Sequence, residues 1–380
     1  MKVAMYTTVG NLCGIAQYTR ELVAALDEFA DVVVEPIEPG RQSDEHYHAQ
    51  ADRLNQADVV HIQHEHSFWG GILPGHSAFW TIRYLIRKPV VVTAHTTTSL
   101  AKLLKVRQER RPIHRIAKEL LLLRRRYRDS VETAPFVTAR CIVHTEEGRQ
   151  ELIARGARPQ FLHLIPAGVP NVPPARTGGR SFREKYDLGE SRLLALFGFL
   201  SPNKGIELTL QVLQELPTDV RLVLAGGVRT ADAQPYADAV RRRIDEMRLR
   251  DRVTITGYLS DDDVAEAMAA AEVVLVPHTE ATGSYSVMIG LAHGRPLVTS
   301  DLACFREIQA RVPCLRLFRS GDAAHYAACL RGVLANEVGR AEMAARARQY
   351  AEQYSWREVA RRTADVYAQA LADAERPIHG

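Results

Sequence analysis

The 380-residue sequence predicts an α/β fold of two domains, each a parallel sheet covered by helices on both faces. Three observations carry that prediction. Short apolar runs of the buried-strand type alternate with helical patterns along the chain. A Pro- and Gly-rich linker at 170–179 interrupts the alternation near the middle, and the same grammar restarts beyond it. The length itself suits two domains.

In the first half, KVAMY (2–6) reads as a strand, the loop to Gly14 holds Gly10 and Gly14, and 15–26 shows helical spacing through Ile15, Tyr18, Leu22, Val23 and Leu26. Strand, glycine loop and helix open a mononucleotide-binding unit, although G-x-G-x-x-G is absent. Further strands are expected at 32–34, 59–62, 90–92, 141–143 and 162–165. Ligands of parallel sheets sit beyond the carboxyl ends of the strands. The residues there are Gly10 and Gly14, then His64, Glu65 and His66, then His95 and Thr96, then His144, Thr145 and Glu146, then Gly168. Strand alternation puts His64 and His66 on one face and His61 on the other. No third metal ligand is near, so polar groups lining a cleft are expected rather than a metal site. His95 is the catalytic candidate of this half, able to bond a sugar hydroxyl or help a proton move. Phe68, Trp69 and Trp80 suit either sugar stacking or the core.

In the second half, strands are expected at 193–197, 221–225, 253–256, 273–276, 296–299 and 315–318, with helices such as 206–216 and 264–271 between them. Lys204 stands in a P-N-K-G turn directly after a strand, where an ammonium can meet a diphosphate as a point charge. The stretch VVLVPHTEATGSYSVMIGLAHGRPLVTSD (273–301) reads as strand, small-residue loop, helix and strand. Its loop opens a helix, whose first-turn N–H groups and positive dipole end suit a phosphate. Gly294 and Pro296 end that helix. The chain closes on an amphipathic helix through Trp356, Val359, Ala360, Thr363, Val366, Tyr367 and Leu371, long enough to cross back over the first domain.

Composition narrows the partners. Apolar content of 46% and charged content of 25% describe an ordinary globular chain, and a net charge of +4 is too mild for nucleic acid. No apolar run approaches the roughly 20 residues of a membrane span. The N-terminus lacks the apolar core of a signal peptide, and five scattered cysteines without a C-x-x-C pair read as cytosolic thiols. Residues 102–128 interleave Lys and Arg with Leu and Ile. They form either a basic face for an anionic membrane or phosphorylated acceptor, or a solvated helix face over the core.

The chain resembles the family 4 retaining glycosyltransferases of the GT-B fold, group 1 type. The resemblance rests on CGIAQYTREL (13–22), ADVVHIQHE (57–65), VVVTAHTTTS (90–99), IVHTEEGRQEL (142–152), LIPAGV (164–169), FGFLSPNKGIEL (197–208), LVLAGG (222–227), ITGYLSDDDV (255–264), residues 273–301 and YSWREVARRTADVY (354–367), in that order and spacing. It implies two Rossmann-like domains facing across a cleft. Residues 1–169 and the C-terminal helix, about 356–380, would bind acceptor, and 170–355 would bind a nucleotide-diphosphate sugar. Catalysis would fall to His95, Lys204 and Glu280. The donor would be held by Gly14, Gly198, Asn203, Gly257, Tyr258, Gly283, Ser284, Tyr285, Ser286 and Val287. The acceptor would meet Gly10, Glu65, His66 and Thr96. No metal or other cofactor is expected, because Lys204 and backbone amides can stabilise the departing diphosphate. A cytoplasmic protein, peripheral at the inner face of the membrane if 102–128 binds lipid, is implied. The chain departs from the family pattern at Ala281 and Ile289, where two glutamates are usual, at Phe199 in place of an arginine and at Ala167 in place of a histidine. A transferase with a rearranged donor site, one using a lipid-phosphate sugar, and a catalytically silent GT-B subunit that scaffolds a partner transferase all remain open.

Overall fold

The computed structural model describes residues 1–10, 14–69, 78–97, 134–228, 233–281 and 283–375, together with Ile116 and Leu120. The chain divides into two units, Met1–Gly168 with Trp356–Gly380, and Val169–Ser355. The first unit runs β1 (Lys2–Thr7), α1 (Gly14–Leu26), β2 (Asp31–Pro36), α2 (Asp44–Leu54), β3 (Val59–His64), α3 (Phe79–Leu85), β4 (Val90–Ala94), α4 (Ala134–Val137), β5 (Arg140–Val143), α5 (Glu146–Ala154) and β6 (Leu162–Leu164). Its six parallel strands lie in the order β2-β1-β3-β4-β5-β6.

Both faces of this sheet are covered, which is why β3 and β4 are buried along their whole length while β2, at the edge, is mostly exposed. Alternate residues serve opposite cores. Val60, Ile62 and Val92 pack with Tyr47 and Phe79, and Met5, Val59 and Val91 pack with Leu22 and Trp356. The same alternation turns His61 toward Tyr367, while His64 faces His66, with ring centroids 5.1 Å apart. Phe68 and Trp69 belong to the core.

The second unit repeats the plan with β7 (Arg192–Phe197), α7 (Ile206–Gln214), β8 (Val220–Ala225), α8 (Gln234–Glu246), β9 (Val253–Ile255), α9 (Asp261–Ala270), β10 (Val273–Val276), α10 (Tyr285–Ala292), β11 (Leu297–Ser300), α11 (Ala303–Arg311), β12 (Leu315–Phe318), α12 (Ala323–Ala335) and α13 (Glu337–Gln353), after a short α6 (Arg180–Lys185). Its parallel order is β12-β11-β10-β7-β8-β9. Strand order reverses between β1 and β3 in one sheet and between β7 and β10 in the other. The crevice at such a reversal, beyond the strands' carboxyl ends, is where open α/β sheets take ligands.

The last helix, α14 (Trp356–Glu375), groups with the first unit. It buries Trp356, Val359, Ala360, Val366 and Tyr367 against Tyr18, Leu22 and Leu26 of α1. Gly168 is needed there, because a Cβ would lie 2.5 Å from the Trp356 ring. Among the described residues no helix is long and apolar enough to cross a membrane. The basic stretch 102–128 lies outside the described residues except for Ile116 and Leu120, both helical and exposed.

Candidate functional site

In the second unit the polar groups converge at the β7/β10 reversal. The chain leaves β7 through Gly198, at φ 121°, where a Cβ would lie 3.2 Å from Ser286 Oγ and 3.4 Å from Lys204 Nζ. A single 3-10 turn, Pro202–Lys204, then lifts the lysine over the strand ends. Asn203 fixes that turn by its carbonyl, which accepts from Thr279 N at 3.0 Å. Gly205 follows at φ 66°, and a Cβ there would lie 2.0 Å from the Pro277 carbonyl oxygen. Only glycine combines that conformation with that approach.

Lys204 Nζ lies 3.0 Å from His278 Nε2 and 3.4 Å from Ser286 Oγ. Ser284 Oγ is 3.2 Å from the same His278 nitrogen, and Ser300 Oγ donates to the His278 carbonyl at 2.7 Å. Burial brings the Lys204 ammonium down to about 8. Burial, and then the neighbouring lysine, hold His278 down at about 3, so it is a neutral acceptor. One half-buried cation therefore stands in the crevice, and among the described residues no carboxylate pairs with it.

The N-terminus of α10 adjoins this cation. Thr145, Ser260 and Asp322 each cap their helices with a side-chain oxygen. Ser284, at the N-cap of α10, makes no such bond, and the Ser286 hydroxyl donates instead to Phe197 O at 2.8 Å. Among the described residues no N-cap side chain meets the first-turn N–H groups of Ser286 and Val287. A helix N-terminus without a side-chain cap and a half-buried ammonium at one point form a seat that suits an anion.

The structure brings Gly198, Asn203, Lys204, Ser284 and Ser286 together. Val287 contributes only backbone, since its side chain is in the core. Tyr285 is 47% exposed, and Glu280 and Gly283 lie exposed in the loop before α10. Gly257, at φ 73°, and Tyr258, 80% exposed, lie at the neighbouring strand end beside Gly227. His278 is the residue the sequence reading passed over. It lies two residues beyond the end of β10, so the strand-end rule applied in the first half would have found it.

Ile289, where a carboxylate would hold ribose, is 4% exposed and packed in the core of the unit. Ala281 packs against the same core, and its carbonyl accepts from Cys304 Sγ at 3.4 Å. Restoring the family residue by Ile289→Glu should destabilise the protein by about 3–5 kcal/mol, because the carboxylate would be buried without a partner. Chemical denaturation measures it, and unchanged stability with tighter nucleotide binding would show the helix face to be free.

In the first unit, Thr96 Oγ1 donates to Glu65 Oε2, and His95 N donates to His64 O at 3.2 Å. His95 is enclosed by Tyr18 and His144, with centroids 5.0 and 5.4 Å away, and burial keeps its imidazole neutral. Burial and the Arg155 charge lower His66 to about 4. Gly10 and Gly14 are exposed, with open space where a Cβ would stand. Among the described residues no three His, Cys, Asp or Glu side chains converge as a metal site.

Two like-built six-stranded parallel sheets, each covered by helices, are the architecture of the GT-B fold. Comparison of folds agrees. HepE of Anabaena, solved in complex with UDP, superposes with a TM-score of 0.75 at 17% identity, over 97% of this chain and 100% of that one. The sucrose-phosphate synthase of Thermosynechococcus elongatus gives 0.70 at 17% identity, over 98% of this chain and 100% of that one. Residues 191–336 match the family model of glycosyl transferases group 1. A D-inositol 3-phosphate glycosyltransferase of Xylanimonas cellulosilytica is 31% identical over 239 residues, 60% of this chain and 56% of that one. The protein of the same name from Mycobacterium marinum is 25% identical over 337 residues, 85% of this chain and 66% of that one. The matched region thus spans between about half and two thirds of these relatives' own length.

Proposed function

We propose that the protein is a retaining hexosyltransferase that moves a hexose from a nucleotide-diphosphate sugar to a hydroxyl of a glycan, lipid-linked or small-molecule acceptor, without a metal. The observation that carries this reading is the half-buried Lys204 ammonium beside the start of α10, whose N-cap Ser284 makes no side-chain cap bond. In the reaction the acceptor oxygen bonds to the anomeric carbon and the bond from that carbon to the diphosphate breaks. The acceptor proton passes to the departing phosphate oxygen. Charge grows on that oxygen as the bond breaks, and fixed donors aimed there stabilise the transition state more than the bound sugar. Lys204 and the amides of Ser284, Tyr285, Ser286 and Val287 take that role. Gly198 gives the phosphates room, Asn203 holds the turn, and Gly257 and Tyr258 stand for the base. Glu280 and Gly283 face the sugar. His95 and Gly14 of the first unit serve the donor, and Gly10, Glu65, His66 and Thr96 serve the acceptor. The relatives named for D-inositol 3-phosphate suggest a small phosphorylated polyol as one acceptor, and the basic stretch 102–128 suits the same charge or an anionic membrane at the cytoplasmic face.

The core position of Ile289 favours a second reading, a silent GT-B subunit that scaffolds a partner transferase. One experiment separates the two. The pure protein is incubated with UDP, GDP, ADP, TDP and CMP sugars, and slow hydrolysis and thermal stabilisation are followed. Hydrolysis of one donor supports the transferase, whereas silence across the panel defeats it.

A further inference from the structure

Beneath His95 runs a chain of buried polar groups that the proposed reaction does not use. His95 Nε2 lies 2.8 Å from Gln63 Oε1. The Gln63 amide nitrogen lies 3.1 Å from Met5 Sδ and 3.3 Å from His61 Nε2. His61 Nε2 is 2.7 Å from Thr93 Oγ1, and its Nδ1 is 2.6 Å from Tyr367 Oη. Met5, His61, Gln63, Thr93 and Tyr367 are all fully buried.

The proton positions follow from the partners. A thioether sulfur only accepts, so the end of Gln63 that faces Met5 is the NH2 group. The same amide nitrogen faces His61 Nε2, which Thr93 Oγ1 also meets. The opposite end of Gln63 is then a carbonyl oxygen, which only accepts. The nitrogen of His95 facing it must bear hydrogen. Burial keeps the His95 ring neutral, so its other nitrogen has a free lone pair. Among the described residues no hydrogen-bond partner meets that Nδ1, and His95 as a whole is half-buried.

We propose that Gln63 is a positioning residue that locks His95 in the Nε2–H tautomer, so that His95 meets its ligand as an acceptor, through Nδ1, for a sugar hydroxyl. His95 then orients a hydroxyl and does not act as a general acid. The sugar as ligand rests on the function proposed above; the tautomer does not.

The test is a two-bond proton–nitrogen NMR correlation of the histidine rings in the full chain at pH 7, with His95 assigned by its loss in His95→Asn. The expected pattern is neutral imidazole protonated on Nε2. The opposite tautomer, or an imidazolium, overturns the proposal with no variant needed. Gln63→Met, close in shape and without the amide, should give mixed tautomers. A pure Nε2–H form in a folded Gln63→Met protein overturns the lock. Once a donor is identified, Gln63→Met should lower kcat/KM about tenfold, the scale of one neutral hydrogen bond, with nucleotide affinity unchanged. A chain with no transfer activity would defeat the proposed function and leave the tautomer result standing.

Discussion

Replacing Lys204 by alanine should weaken binding of the donor nucleotide about 10²-fold and lower turnover by about 10²–10³, the scale of one charged donor lost from a site of developing charge. Titration calorimetry measures the first and initial rates the second. Unchanged binding would remove Lys204 from the site. The same residue sets a pH dependence. Burial lowers its ammonium from the ordinary 10.5 to about 8, so the free protein loses this charge as pH rises through 8. A bound diphosphate retains the ammonium. Nucleotide affinity should therefore be flat below pH 8 and fall above it, approaching about tenfold per pH unit. Folding stability moves the other way. The unfolded chain still holds the proton up to about 10.5, so wild type should gain stability relative to Lys204→Met between pH 8 and 10.5. A pH-independent affinity in wild type would contradict the assignment.

Gly205→Ala should be the most damaging single-methyl change in the second unit. The added Cβ meets the Pro277 oxygen at 2.0 Å, and the backbone is left-handed at φ 66°. The conformation alone costs roughly 1–2 kcal/mol, and relieving the overlap adds about 1–3 kcal/mol as the strand end shifts. Thermal denaturation should show a fall of roughly 10 °C. Nucleotide affinity should fall with it, because Pro277 precedes His278 and the turn carries Lys204. Gly257→Ala is the control, since open space surrounds that position and only the φ penalty applies. Equal melting points for the two variants would show that the contact with Pro277 is dispensable.

Much of this architecture was legible in the residues. Among the described residues all twelve strands appear as apolar runs, most plainly central ones such as β3 and β4, which are covered on both faces and leave no polar alternation to confuse them. Lys204 and the Gly-Ser loop were legible because a special turn directly after a strand leaves its mark in Gly205, Gly283 and Ser284. The surroundings of Ile289 were not. Helix α10 buries Ser286, Val287, Ile289, Gly290 and Leu291, so no polar stripe shows which side faces the crevice. Gln63 was hidden differently. It lies inside a strand, its neighbour His61 is completed by Tyr367 from 306 residues away, and Met5 gives no sign in sequence that its sulfur is an acceptor. Polar groups that serve one another across such separations carry no local pattern.

The contact between Gly205 and Pro277 also bears on how the protein is made. Lys204 and His278 are 74 residues apart, and the turn that aims the lysine rests on a strand end synthesised long after it. Contacts of that separation form only after the intervening chain has ordered, because loop closure must precede any gain from them. A nascent chain ending before Pro277 can hold β7, β8 and β9 yet has no fixed aim for the ammonium. Alignment of Lys204 with His278 is therefore a late event in the folding of this unit.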